Sequence, residues 1–357
     1  MKKELIGLSR EELLSEMNTL GESSFRVKQL FSWLYNKGCT DFSQMTNLGK
    51  SLRAKLEDSY QITRPSIVYE KNSIDRTRKW LVEFQDKEQV ECVYIPEEDR
   101  GAVCISTQIG CAQKCAFCHT GTQRMKRNLT AGEIVSQFMV ARDSYQEWPT
   151  PTNETRFLSN IVVMGMGEPL YNYDNLVKAL NILLDPEGLA LSRRKITVST
   201  AGMADNIPRL ADDTGVKLAI SLHAPTNEVR NQIMPINRKF PLEVLMEACQ
   251  EFQRKQQHRQ YITMEYIMIK GLNDSLALAH DLVDLVEKNK LEVKFNLIPF
   301  NPWEGCPFEP STRNQIQKFA SFLESHHYPA PIRVSRGQDI MAACGQLKSA
   351  FKNKDLE

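Results

Sequence analysis

The ten residues Gly110-Cys111-Ala112-Gln113-Lys114-Cys115-Ala116-Phe117-Cys118-His119 constrain this chain more than any other stretch. They set three cysteines in a C-x3-C-x2-C pattern. Three thiolates on one tight turn can hold three irons of a cubane 4Fe–4S cluster and leave the fourth iron without a protein ligand. A catalytic metal site keeps such an open position, whereas a structural site closes it. The free iron can take a small chelating ligand, such as the amino and carboxylate groups of a methionine. A structural zinc would want a fourth ligand, and His119 adjoins Cys118 too closely for the usual paired spacing. A four-cysteine ferredoxin would need another cysteine in the same run. Three unrelated buried cysteines within one short turn is the weakest alternative.

The chain has 357 residues, enough for a catalytic domain with an appendage. No apolar run approaches the ~20 residues needed to cross a bilayer. The start, Met1-Lys2-Lys3-Glu4, lacks the apolar core of a signal peptide. A cytoplasmic location, with no membrane partner, is therefore expected. Thiols stay reduced there, so nine cysteines favour metal or redox chemistry over a disulfide framework. The net charge of +1 gives no global polycation signal. Its distribution says more. Residues 24–80 hold 11 Lys or Arg against 5 Asp or Glu, a pattern that a solvated face explains better than a ligand does. Residues 104–130 carry Lys114, Arg124, Lys126 and Arg127 with no acid, which favours a negatively charged substrate beside the cysteines.

Ser9-x-x-Glu12 is a capping box opening a short helix. A second helix from about Ser24 places Val27, Leu30, Phe31 and Leu34 on one stripe and ends at Gly38, and a third covers about 49–58. Lys79–Phe84 and Val90–Ile95 read as strands. Residues 1–96 thus form a small helical accessory domain plus a β-rich connector, bounded by the turn Pro96–Gly101. A strand–helix rhythm follows. The near-continuously apolar strands are Val103–Ser106, Asn160–Met164, Lys195–Ser199, Lys217–Ser221, Thr263–Ile269 and Lys294–Ile298, with helices at 131–142, 174–184, 241–255 and 275–289. This alternation predicts an α/β fold, an open partial (β/α)6 TIM-like barrel over 97–338, followed by a C-terminal segment, 339–357. Chemistry in such barrels sits at the C-terminal ends of the strands.

The informative residues fall at those ends. The cysteine loop follows the first strand. Met164-Gly165-Met166-Gly167-Glu168-Pro169 follows the second, where glycines let a ligand approach the backbone and Glu168 could accept from an ammonium group. Ser199, then Ser221-Leu222-His223, then Asn301 close later strands and could hydrogen-bond a ribose, carboxylate or adenine edge. Each alone is more simply a polar residue satisfying local backbone; their recurrence at one end of successive strands favours a ligand site. Cys104 lies seven residues before the cluster motif, and Cys344 precedes Gly345 near the C-terminus. By itself Cys344 is a nucleophile or a small buried residue.

Together these segments, with Arg336-Gly337-Gln338-Asp339 and Ala343-Cys344-Gly345-Gln346-Leu347, resemble the RlmN/Cfr family of radical S-adenosylmethionine (SAM) RNA methyltransferases, and its RlmN branch above all. The resemblance covers nearly the whole chain. It implies that Cys111, Cys115 and Cys118 bind a 4Fe–4S cluster, and that Gly167, Glu168, Ser199, Ser221, Leu222, His223 and Asn301 contact SAM. It implies that Cys344 takes a methyl group from one SAM, and that a second SAM, cleaved reductively at the cluster, yields a 5′-deoxyadenosyl radical that activates that methyl. The activated group adds to carbon 2 of an adenine. Cys104 then frees the product through a transient disulfide, and Glu91 removes the C2 proton. The implied substrates are 23S rRNA and the adenosine following the anticodon of tRNA, with an external, flavodoxin-type electron donor. A monomer is expected. Two alternatives remain: a Cfr-like enzyme methylating carbon 8, and a non-catalytic, metal-containing RNA-binding protein.

Overall fold

The computed structural model describes residues 2–98, 100–152, 156–256 and 260–348, so the end of the expected C-terminal segment, 349–357, lies outside the described residues. The N-terminal unit comprises β1 (Lys3–Glu4), helices α1 (Arg10–Thr19), α2 (Phe25–Phe31) and α3 (Lys50–Ser59), and β2 (Tyr60–Gln61), which pairs in parallel with β1. The capping box is formed: Glu12 N donates to the Ser9 side chain, and Ser9 N donates to the Glu12 carboxylate at 2.8 Å. The stripe Val27, Leu30, Phe31 and Leu34 is buried, and α2 runs on through a wider π turn at Ser32–Asn36. This unit is docked tightly on the remainder. Gly7, at φ +96°, meets Gly132 backbone to backbone, and a Cβ on either would collide with the other segment. Arg10 makes a two-pronged pair with Asp185 at 2.6 and 2.8 Å.

A meander of β3 (Ser66–Asn72), β4 (Arg78–Glu83) and β5 (Gln89–Pro96) follows. The barrel elements come next: β6 (Gly101–Cys104), a ribbon of β7 (Gln108–Ile109) and β8 (Arg127–Asn128), α4 (Ala131–Ser144), β9 (Leu158–Val163), α5 (Tyr173–Leu184), β10 (Ile196–Thr200) and α6 (Ile207–Asp213). The chain continues through β11 (Lys217–Ser221), α7 (Asn227–Ile233), α8 (Leu242–Lys255), β12 (Ile262–Met268), α9 (Leu276–Lys288), β13 (Val293–Pro299) and α10 (Arg313–Ser325). Strands β6 and β9 to β13 pair in parallel, in chain order. This is the expected open barrel of six strands. The turn after Pro96 does not end the sheet, however. β5 pairs antiparallel with β6, so the meander extends the barrel edge and all nine strands form one sheet, β13-β12-β11-β10-β9-β6-β5-β4-β3.

The barrel strands are less uniformly apolar than their composition suggests. Outward positions such as Ile196, Val198, Leu218, Ile220, Phe295 and Leu297 are buried beneath helices. Alternate positions carry Thr197, Ser199, Lys217, Ser221, Thr263, Glu265, Lys294 and Asn296. Because the barrel is open, its concave face is lined with polar groups rather than packed as a core. α10, absent from the expectations above, buries Ile316, Phe319, Ala320 and Leu323 along one stripe.

Candidate active site

The chain leaves the sheet after β6 and forms the cysteine loop. Gly110, at φ +76°, turns the backbone against Arg124, where a Cβ would collide with the carbonyl. Ala116 N donates to Ile233 O at 2.9 Å and Lys126 N to Ile109 O at 2.9 Å, which pins the loop at both sides. Cys111, Cys115 and Cys118 border one cavity of about 150 Å³. Burial pushes the Cys111 thiol up to about 12 and holds Cys115 and Cys118 above their ordinary value. Among the described residues, three metal-type donors lie within 4.8 Å of one another only at the exposed trio His280, Asp281 and Asp284. The three cysteine sulfurs therefore do not all lie within that distance of one another. One tetrahedral zinc with ~2.3 Å bonds needs its sulfurs about 3.8 Å apart, so the spacing suits a larger group.

The Met164–Pro169 loop forms the next wall. Gly165 and Gly167 abut residues 105–108: a Cβ on Gly165 would lie 2.6 Å from Ser106 Oγ, and one on Gly167 2.6 Å from Gln108 Cβ. The glycines serve first to close this loop on the strand that leads to the cysteines, and both also border the cavity. Buried Glu168 accepts from Ala201 N and Thr200 Oγ1, each at 2.7 Å, and from Leu170 N at 3.1 Å. Burial raises its carboxyl to about 7 in spite of these donors. Ser199, Ser221 and His223 border the same cavity. His223 has φ +58°. Its Nδ1 accepts from Ile267 N at 3.1 Å, which assigns the ring proton to Nε2. Burial, reinforced by Arg230, pushes this histidine down to about 3, so it is a neutral donor.

Two expected ligand contacts stand elsewhere. The Leu222 side chain is in the core, and its carbonyl accepts from Arg230 Nε at 3.0 Å. Asn301 borders the adjoining narrow cavity with Cys104 and Cys344: Nδ2 donates to Cys344 O at 3.3 Å, and Oδ1 accepts from Gln338 Nε2 at 2.8 Å. It anchors the C-terminal strap, residues 337–348. Arg230 had no assigned role, yet it is fully buried and also donates to Ala201 O at 2.6 Å and Ser221 O at 3.2 Å. It locks the strand-end loops together.

The strap carries Cys344 to the same cavity as the three cysteines. His119 N donates to Gly345 O at 2.7 Å, Thr120 Oγ1 to Leu347 O at 2.6 Å and Gln346 Nε2 to Pro302 O at 2.9 Å. Trp303 stacks on the His119 ring at 4.7 Å and donates to Phe117 O. On the other side, Asp339 accepts from Ser73 Oγ at 2.6 Å and Asp75 from Gly337 N at 2.9 Å. Cys344 also borders a narrow second cavity together with Cys104 and Arg333. Burial and then Cys344 push the Cys104 thiol up to about 12, against Arg333. Arg333, likewise unanticipated, interacts with Cys344, Glu265 and Cys104, Cys344 most strongly. Glu91 lies outside both cavity walls. It pairs with buried Lys79 at 2.8 Å and accepts from Lys348 N at 2.8 Å, and burial raises its carboxyl.

Residues 3–62 match the ribosomal RNA large subunit methyltransferase N-terminal domain, and residues 105–282 match the radical SAM superfamily. A dual-specificity RNA methyltransferase RlmN of Rhodospirillum rubrum is 57% identical over 97% of this chain and 80% of its own. The chain belongs to the RlmN family. The RlmN of Gluconobacter oxydans is 54% identical over 98% of this chain and 86% of its own. The crystal structure of a radical SAM methyltransferase from Sphaerobacter thermophilus matches with a TM-score of 0.89 at 39% identity, covering 98% of this chain and 100% of that one. As an RlmN family member the protein is an enzyme that methylates RNA, with a 4Fe–4S cluster and SAM. The site fits those groups. Three thiols border one cavity, the donor set that leaves one iron of a cubane open, and Glu168 lines the same cavity. No helix among the described residues is long and apolar enough to cross a membrane.

Proposed function

We propose that this enzyme methylates carbon 2 of adenosine, in 23S rRNA and at the tRNA position following the anticodon, by way of a methyl group carried on Cys344. The observation that supports this most is that Cys344 faces two cavities at once, one with the three cysteines and one with Cys104. Adenine C2 is electron-poor and not a nucleophile, so direct displacement from SAM is chemically unsuited to it. A carbon carried on a protein sulfur avoids that difficulty.

In this reading Cys111, Cys115 and Cys118 hold the cluster. Glu168 takes the amino group of SAM, while Ser199, Ser221 and the Nε2–H of His223 supply hydrogen bonds around the rest of it. Gly167 borders that ligand. The Cys344 sulfur, giving up its proton, attacks the methyl carbon of a first SAM, which leaves as S-adenosylhomocysteine. The bound cluster and a second SAM supply the one-electron chemistry that turns this methyl into a carbon radical able to add to C2. Glu91 takes the C2 proton; its raised carboxyl suits a base, and the end of the strap that covers it must lift for the proton to arrive. Once the adduct has also given up its unpaired electron, Cys104 attacks the Cys344 sulfur; the C–S bond breaks with its electron pair on carbon, which takes up a proton to complete the methyl group, and the external reductant reopens the Cys104–Cys344 disulfide. Residues 1–96 serve as accessory RNA-contacting unit and connector, 97–338 as the radical core and 339–357 as the cysteine-bearing segment. The enzyme works in the cytoplasm as a monomer, with an external flavodoxin-type reductant.

Glu168 gives a pH signature. Below about 7 its carboxyl is protonated in the free site, and binding an ammonium requires the ionised form. The dissociation constant for SAM should therefore rise about ten-fold from pH 8 to pH 6 and stay flat above that range. Calorimetry on cluster-loaded protein measures this, and Glu168→Gln should bind weakly without the slope. The function itself is tested by nucleoside mass spectrometry on RNA incubated anaerobically with protein, SAM and reductant. The expected product is 2-methyladenosine. 8-Methyladenosine would keep the cluster chemistry but overturn the regiochemistry, and neither product from a fully loaded enzyme would overturn the substrate.

A further inference from the structure

The end of the barrel above Cys344 is closed. The strap, the loop around Trp303 and the cysteine loop bond to one another there through Gly345, Leu347 and Gln346. Below Cys344 the barrel is open. A cavity of about 570 Å³ lies along the concave face. It shares Met164, Glu265 and Arg333 with the cysteine cavity and reaches down to Thr197, Thr263 and Lys294.

Cations gather at that lower mouth. Lys217 and Lys294 project from inward positions on β11 and β13, and Arg194 and Lys195 lie in the turn just before β10. Burial, then Lys294, Lys195 and Arg194, hold the Lys217 amine below its ordinary value, so these charges feel one another. Among the described residues none of the four makes an ion pair. The opposing groups on the cavity wall are Glu97, Glu98 and Glu265; Glu97 is already paired to Arg100, and Glu265, which feels Lys294, is buried and accepts from Asn296. The basic segments singled out from the sequence behave differently. Lys126 pairs with Glu88, Arg127 with Asp86 and Glu133, Lys28 with Glu187 and Arg64 with Asp143. Like charges that outnumber the acids beside them cost energy that a polyanion relieves.

We propose that the RNA docks at this lower mouth, its phosphodiester backbone on Arg194, Lys195, Lys217 and Lys294, and that the target base passes up the concave face, by Arg333, to Cys344. This rests on the RNA methylation reading and adds to it the route and the contact surface. The base must leave its stack to make that passage, and backbone contacts at the mouth hold the RNA while it does. An acidic electron-donor protein is the competing occupant of a cationic rim. Docked there it would block the path to Cys344, so the geometry favours RNA.

The test uses full-length, cluster-loaded Lys217→Gln/Lys294→Gln protein and a 23S rRNA fragment lacking the methyl group. Its dissociation constant should rise about 10- to 30-fold near 0.15 M salt, and the slope of log affinity against log salt should fall by about two. Lys217→Arg/Lys294→Arg should restore both, Lys126→Gln should change neither, and loading of Cys344 with one methyl group from SAM should be unaffected. Unchanged affinity and slope in the double glutamine variant would overturn the surface. So would unchanged RNA binding combined with slower reduction by a flavodoxin but not by dithionite, which assigns the rim to the electron donor. Failure of the functional reading looks different: the parent enzyme would bind RNA with its full salt slope and yield no methyladenosine.

Discussion

Cys344→Ala should lose RNA methylation by more than about 1,000-fold, while the protein keeps its cluster and still cleaves SAM when reduced. The expectation follows from what the substitution removes and what it leaves. The strap is held through backbone and neighbouring side chains: Gly345 O and Leu347 O accept from the cysteine loop, Asp339 is held by Ser73, and Asn301 bonds the carbonyl of residue 344 rather than its sulfur. Alanine keeps all of these. Cys344 is only partly buried, so little packing is lost. The thiol itself has no substitute, because Cys104 borders the narrow cavity but not the one with the three cysteines. Methylation by liquid chromatography and mass spectrometry, iron content, and RNA-independent SAM cleavage separate the outcomes. Methylation within about ten-fold of the parent would sink the carrier role of Cys344 and require direct transfer to RNA. Loss of iron together with activity would instead place Cys344 in the stability of the cluster loop.

What the sequence disclosed, and what it hid, follows the range of the interactions concerned. The cysteine loop was legible because its three thiols are set by local spacing, and the strand–helix rhythm because burial of the outer face repeats over short windows. The barrel and its parallel order followed. The concave face was harder. Lys294 and Glu265 look like ordinary polar interruptions until the open barrel turns them towards one cavity, and Lys217 stands beside Lys294 at its mouth. Arg230 and Arg333 carried no local signal at all. Arg333 follows Ile332, which bridges to Leu297 at the barrel edge, and only that long-range pairing carries it to Cys344. The basic segments are partly neutralised in a way that composition does not show. Sequence counts see charge, whereas Lys126, Arg127 and Arg64 meet carboxylates far away in the chain. Asn301 sits at the right strand end but is taken up by the strap, and the meander appeared as a connector because antiparallel pairing of β5 with β6 leaves no trace in composition.

Cys104→Ala should convert the enzyme into one that stalls as a covalent protein–RNA adduct, with turnover reduced by more than about 100-fold. The thioether between Cys344 and the base needs a second sulfur to break it, and Cys104 shares the narrow cavity with Cys344. Its environment suits a thiol that stays inert until then. Burial and the neighbouring sulfur hold it up near 12, so at neutral pH it keeps its proton and does not compete with Cys344 for the methyl group of SAM. Arg333, which acts on both sulfurs, offsets part of that cost when the attack comes. Cys92 is the neighbouring thiol most able to stand in. It lies one residue from Glu91 on the alternate face of β5, fully buried, with its sulfur donating towards Gln137 O at 3.8 Å, so it points away from the task. The adduct should therefore accumulate to about one per enzyme, visible as an RNA-bearing band under denaturing conditions. Cys104→Ala/Cys344→Ala should show none, because the adduct needs the Cys344 sulfur. A Cys104→Ala protein that turns over freely would remove Cys104 from product release, and the same experiment with Cys92 also replaced would show whether that thiol had taken its place.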